Sequence, residues 1–182
     1  MAVIGLVGPH AIGKTTAANR WIGRYAGLVA ALADTQWEIS QAGKVRSLDW
    51  KLDEADKEAA VKRCRERDGV TVIESVRTTQ LKYFGPTDPV IMTLCDWTVM
   101  DRVLRARKDR LGREFNAEYW NPRKLEEESS KRYLNFAKKY LRPEQVKVFW
   151  IKEQAADWEA VDEYFGKLYR KLHNEAIRRR RK

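Results

Sequence analysis

A chain of 182 residues, 43% of them hydrophobic, carries enough apolar side chain to bury one core but hardly two, so a single domain over 1–182 is expected. The formal charge of +10 is regional: Trp97 to Arg142 holds 13 Lys/Arg against 7 Asp/Glu, and the basic tail Arg178 to Lys182 adds five positives, which suits a polyanion handled at one face. The apolar run Met1 to Val7 has no basic flank and stops after seven residues, which excludes a secretion signal or a membrane span there and leads us to expect a soluble, cytoplasmic protein with no membrane partner. Cys64 and Cys95 have no CxxC or Cys/His grouping around them, so both are read as packed thiols and not as metal ligands or a disulfide framework.

In chain order, Val3 to Val7 reads as a short buried strand ending on Gly8, and Thr15 to Tyr25 as a helix without proline. Gly27 to Ala33 is a second strand ending at Asp34. A charged helix follows from Asp53 to Arg67, closed by Asp68-Gly69, and then Val70 to Ile73 has the β-branched character of a buried strand with Glu74 at its end. Pro89 to Leu94 is a fourth strand, and Thr98 with Asp101 three residues later marks a helix start. A long helix from Asn121-Pro122 to Tyr140, a strand Val146 to Ile151 and a closing helix from Ala155 complete the pattern. Strands alternating with helical crossovers predict a parallel sheet covered on both faces, with ligands at the C-terminal ends of the strands.

Gly8-Pro9-His10-Ala11-Ile12-Gly13-Lys14-Thr15 matches GxxxxGK[ST], with a strand before it and a helix after it, which is the context the motif requires. Gly8 and Gly13 let the backbone curl so that N–H groups point at a β-phosphate, and the following helix adds its positive dipole end. Pro9 has no N–H, so the donors come from later positions, Ala11, Ile12, Gly13, Lys14, Thr15 and Thr16. Lys14, expected on a loop exposed to solvent, bridges the β- and γ-phosphates, and the Thr15 hydroxyl sits on Mg²⁺. His10 reads as an ordinary loop residue. ATP and Mg²⁺ are the cofactors this loop implies.

Asp53-Glu54-Ala55-Asp56 spells a helicase box, but no hydrophobic strand precedes it, and one domain is too short for two motor units. A GTPase reading fails because no N-K-x-D motif is present. A small kinase remains. The chain resembles the nucleotide-kinase-like P-loop family, in particular dephospho-coenzyme A kinase and nucleoside monophosphate kinase-like members. The likeness rests on the Walker A loop, the acidic strand end at Asp34, the segment Val72 to Arg77 and the arginine-rich stretch that follows the fourth strand. Glu74 stands where an aspartate is more usual.

The resemblance implies an α/β, three-layer α-β-α P-loop kinase fold with a parallel sheet and a helical arginine-rich lid over about residues 102–123. It makes Asp34 the acceptor-side carboxylate that orients or deprotonates a hydroxyl, with a helix N-cap as the plainer alternative. Glu74 becomes a ligand to the Mg²⁺ shell, with a structural ion pair as the alternative. Arg77 is assigned to an acceptor phosphate, because its planar fork fits phosphate oxygens. In the lid, Arg107, Arg110 and Arg113 are assigned to the triphosphate, with Arg110 in the chemical step, while Arg102 and Arg105 are read as partners of Asp101 and Asp109. Tyr119 and Trp120 are candidates for stacking a base.

Two acceptors fit this reading: a nucleotide-type small molecule, or a hydroxyl on DNA or RNA, the latter favoured by the basic tail and by aromatics near basic residues. An ATP-gated binding module without transfer is the third. Nothing in the sequence fixes the oligomeric state.

Overall fold

The computed structural model describes residues 2–9, 12–25, 27–33, 37–41, 44–48, 54–66, 69–75, 78–111, 122–152 and 154–180. Seven strands form one sheet in the order β4-β3-β2-β5-β1-β6-β7. Its core is five parallel strands: β1 (Ala2–Val7), β2 (Leu28–Ala33), β5 (Val70–Ser75), β6 (Val90–Cys95) and β7 (Val146–Ile151). These are the five strands expected from the sequence. The near-continuous apolar character of β1 and β6 reflects burial on both faces, and both strands are almost entirely inaccessible.

The sequence reading missed an antiparallel hairpin, β3 (Trp37–Gln41) and β4 (Lys44–Leu48), which extends the sheet beyond β2. It pairs Gln41 with Lys44 across a two-residue connection, Ala42-Gly43. The signal was present as Trp37 and Ile39 alternating with polar residues before a glycine-containing two-residue link. It is weak because each strand is five residues long and half polar. The sheet is therefore mixed, with its parallel part as expected.

Helices cover both faces. On one side, α1 (Lys14–Arg24), α3 (Trp97–Leu111) and α5 (Gln154–Arg180) pack over Ile4, Leu6, Val70, Val72 and Ile91. On the other, α2 (Glu54–Glu66) and α4 (Pro122–Tyr140) cover Val3, Val7, Ile73, Met92 and Leu94. The alternation within β1 and β5 follows the period of two along a strand, and it places Glu74 on the same face as α1. Cys64 and Cys95 are both buried thiols, in the cores of opposite faces. Among the described residues, no helix is long and apolar enough to cross a membrane.

α1 and α5 are joined by both aromatic and polar contacts. Trp21 is fully buried and stacks on Phe165 with ring centroids 3.8 Å apart and planes 3° from parallel. Its indole N–H donates to Asp162 Oδ1 at 2.7 Å, and Arg20 donates to both oxygens of the same carboxylate at 3.1 and 2.9 Å. Trp158, Val161, Phe165 and Tyr169 recur at helical spacing to form the apolar stripe of α5. Burial, with Tyr25 as the smaller cause, raises the Tyr169 hydroxyl above its ordinary pKa of 10.0.

The strand order fixes where a ligand goes. The chain leaves β1 to build β2 and β5 on one side, then crosses to β6 and β7 on the other, so the order reverses around β1. A crevice opens at such a switch point, outside the C-terminal ends of the strands. The Gly8–Thr15 loop leaves β1 there.

Candidate active site

Gly8 ends β1 in a space that admits no side chain: a Cβ placed on it would lie 2.1 Å from the Thr93 carbonyl oxygen and 2.6 Å from Thr93 Oγ1. Gly13, at the other end of the loop, has φ +104° and ψ 7°, a left-handed conformation that glycine adopts without a Cβ penalty. Its carbonyl accepts from Ala17 N at 2.9 Å, which starts the first turn of α1. The two motif glycines thus serve different needs, close approach at Gly8 and backbone sign at Gly13.

Four side chains from four elements donate to carbonyls at the end of β1 and in this loop. Thr93 Oγ1, on β6, donates to Val7 O at 3.2 Å, and Tyr133 OH, on α4, to Gly8 O at 2.9 Å. Lys14 Nζ, on α1, donates to Pro9 O at 2.7 Å, and Trp158 Nε1, on α5, to Ile12 O at 2.8 Å. Ser130, one turn before Tyr133, donates to Cys95 O at 3.3 Å and so joins α4 to the end of β6. None of Tyr133, Trp158 or Thr93 was picked out from the sequence. Each lies 86 or more positions from its partner, and no local pattern marks such a bond.

Lys14 is only 3% exposed, which corrects the expectation of a solvent-exposed lysine: its ammonium is turned onto the Pro9 carbonyl and toward Glu74 of β5. Thr15 points toward β5, where its hydroxyl donates to Glu74 Oε1 at 2.9 Å. The Lys14 ammonium lies 4.0 Å from the same oxygen. Glu74 reaches them because β5 lies beside β1 with Glu74 paired to Leu6, and it is 6% exposed. Lys14, Thr15 and Glu74, singled out separately in the sequence, therefore form one cluster of a cation, a hydroxyl and a carboxylate.

A cavity of about 450 Å³ opens beside the loop between α1 and α5, lined by Ile12, Gly13, Thr16, Arg20, Trp158 and Glu159 among others. Of the remaining sequence-derived residues, His10, Ala11, Asp34, Arg77, Arg113, Tyr119 and Trp120 lie outside the described residues. Arg107 and Arg110 fall on α3, with their side chains outside the description. Arg105 donates to Asp101 Oδ2 at 2.8 Å, the pairing expected of it. Among the described residues, no group of three or more His, Cys, Asp or Glu forms a metal cluster.

No protein-family model matches this chain, and no curated protein matches it. Solved structures to which it is similar include a MobB protein homolog from Bacillus stearothermophilus, at 16% identity over 57% of this chain and 71% of that one, with a TM-score of 0.33. A molybdopterin-guanine biosynthesis protein B (mobB) is similar at 15% identity over 56% and 75%, with a TM-score of 0.32. Likeness at this level carries no argument about activity. The three-layer P-loop fold is plain from the strand order and from the loop at the end of β1.

Proposed function

We propose that this chain is an ATP-dependent phosphotransferase that moves the γ-phosphoryl group to a nucleotide-type acceptor. The observation that carries the reading is that Lys14 and Thr15 both reach Glu74 Oε1, at 4.0 and 2.9 Å, at the loop where the strand order reverses. The Thr15 hydroxyl and the Glu74 carboxylate are hard oxygen donors of the kind Mg²⁺ takes, Thr15 directly and Glu74 directly or through water. The ion would neutralise charge on the β- and γ-phosphates.

The chain's own groups do the rest. Lys14 exchanges the Pro9 carbonyl for phosphate oxygens, a short swing of a long side chain. The cavity between α1 and α5 takes the nucleoside, with Thr16 at its phosphate end and Trp158 at its wall. Asp34, following β2, orients or deprotonates the attacking hydroxyl, and Arg77, following β5, grips an acceptor phosphate. Arg107, Arg110 and Arg113 close over the transferring group from α3 and the segment after it.

The length of α5 sets how long a nucleic acid must be to engage both the loop and the basic tail. α5 runs unbroken from Gln154 to Arg180, with Trp158 against the loop. Arg178 therefore lies roughly 30 Å further along, at 1.5 Å per residue. A polymer end at Lys14 would need roughly nine base pairs, at about 3.4 Å each, to reach the tail.

Labelled ATP incubated with mononucleotides, coenzyme precursors and DNA or RNA tests the assignment. A labelled small product, with transfer unaffected by deletion of Arg178 to Lys182, is expected. A labelled oligonucleotide, formed with a steep salt dependence that flattens on that deletion, would replace the small acceptor with nucleic acid.

A further inference from the structure

The bonds to the loop carbonyls differ in what they do to the loop's donors. A peptide unit is planar and trans, so its C=O and N–H point in opposite directions. A side chain that holds one carbonyl therefore aims the next residue's N–H the other way. Trp158 holds the Ile12 carbonyl, and the N–H aimed by that bond belongs to Gly13. Tyr133 holds the Gly8 carbonyl at nearly the same distance, but the next residue is Pro9, which has no N–H to aim.

We propose that Trp158 is a positioning residue for phosphate binding: by fixing the Ile12–Gly13 peptide from α5, it aims the Gly13 N–H into the phosphate hollow of the loop. The inference rests on the reading of this loop as a phosphate site.

The geometry gives Trp158 little freedom to do otherwise. Indole has one donor and no acceptor, so its single bond fixes the direction of the carbonyl it meets. The ring is 6% exposed, and its Nε1 lies 3.0 Å from where a Gly13 Cβ would stand, so it touches both residues of the peptide it orients. One turn along α5, Asp162 is held by Trp21 and Arg20, and one turn further Phe165 stacks on Trp21. α5 is thereby locked to the helix that carries Lys14 and Thr15. Gly13 also needs this outside constraint. Its positive φ is a conformation that a glycine leaves as readily as it enters.

Tyr133→Phe removes one donor and keeps its ring, and Trp158→Phe removes one donor and puts a smaller phenyl ring in place of the indole, so each leaves one loop carbonyl without that donor. Both variants should unfold at a lower temperature than the wild type. They should part company in phosphate binding, measured by calorimetry with inorganic tripolyphosphate and with ATP in Mg²⁺. Trp158→Phe should weaken both ligands by about tenfold or more, the effect of losing one directed hydrogen bond to a charged group. Tyr133→Phe should weaken them several-fold less, although its thermal midpoint falls comparably. Equal affinities in the two variants, whether both match the wild type or both fall together, would overturn the positioning role while leaving the phosphate site in place. A wild-type protein that binds neither tripolyphosphate nor ATP would remove the phosphate site itself, and the inference with it.

Discussion

Replacing Lys14 with alanine is expected to lower phosphoryl transfer by at least about 100-fold, the scale on which one preorganised charge or donor acts on a transition state. The ammonium sits on the loop at the strand-order reversal, within 4.0 Å of Glu74, and no other cation is hydrogen-bonded to this loop among the described residues. Because Lys14 is buried, the substitution also acts on the fold. It leaves the Pro9 carbonyl without this donor and Glu74 without its nearby cation, at about 1–3 kcal/mol for a buried group that loses its partner. Turnover is therefore read beside the thermal midpoint, at a temperature where both proteins are folded. A folded variant that keeps wild-type turnover would sink the phosphotransferase assignment.

The largest expected effect on stability is at Trp21. Trp21→Ala should destabilise the protein by about 3–5 kcal/mol, the range for emptying a large aromatic site in a core. The residue is fully buried, stacks on Phe165 and donates to Asp162, so the variant loses packing and leaves a partly buried carboxylate with Arg20 alone of these two donors. Trp21→Phe keeps most of the ring and should cost about 1 kcal/mol for the lost hydrogen bond, plus some packing. Urea unfolding with an unchanged slope separates the two. A loss below about 1 kcal/mol in Trp21→Ala would mean that the α1–α5 contact is not a principal support of the loop.

What could be read from the sequence divides by the range of the interactions involved. The parallel strands and the P-loop are local patterns: an apolar run closed by Gly8, a β-branched run closed by Glu74, a glycine-lysine-threonine turn into a helix. These fell within a residue or two of the observed elements. Glu74 was legible as a candidate only through the resemblance to P-loop kinases, with a structural ion pair as its alternative role. The hairpin Trp37–Leu48 was not legible, because short, half-polar strands lack the hydrophobic run that marks a buried strand.

The supports of the loop were hidden for a different reason. Trp158 and Tyr133 lie on apolar helix stripes, where an aromatic reads as core, and both are core residues. Their second role depends on a single polar atom reaching a carbonyl 146 and 125 positions away, which only the assembled fold brings close. Burial of Lys14 was hidden likewise, since the motif gives the loop's contents but not how deeply they are buried.

On the proposed function, the Gly8–Thr15 loop with Glu74 binds a nucleoside triphosphate together with Mg²⁺. Calorimetric titration of the wild-type protein with ATP, with and without Mg²⁺, tests it most directly. One site per chain is predicted, bound more tightly in the presence of Mg²⁺, with that metal-dependent gain lost in Glu74→Gln because the amide no longer offers the ion a charged oxygen. Absence of binding, or binding whose affinity ignores Mg²⁺ in the wild-type protein, would contradict the account.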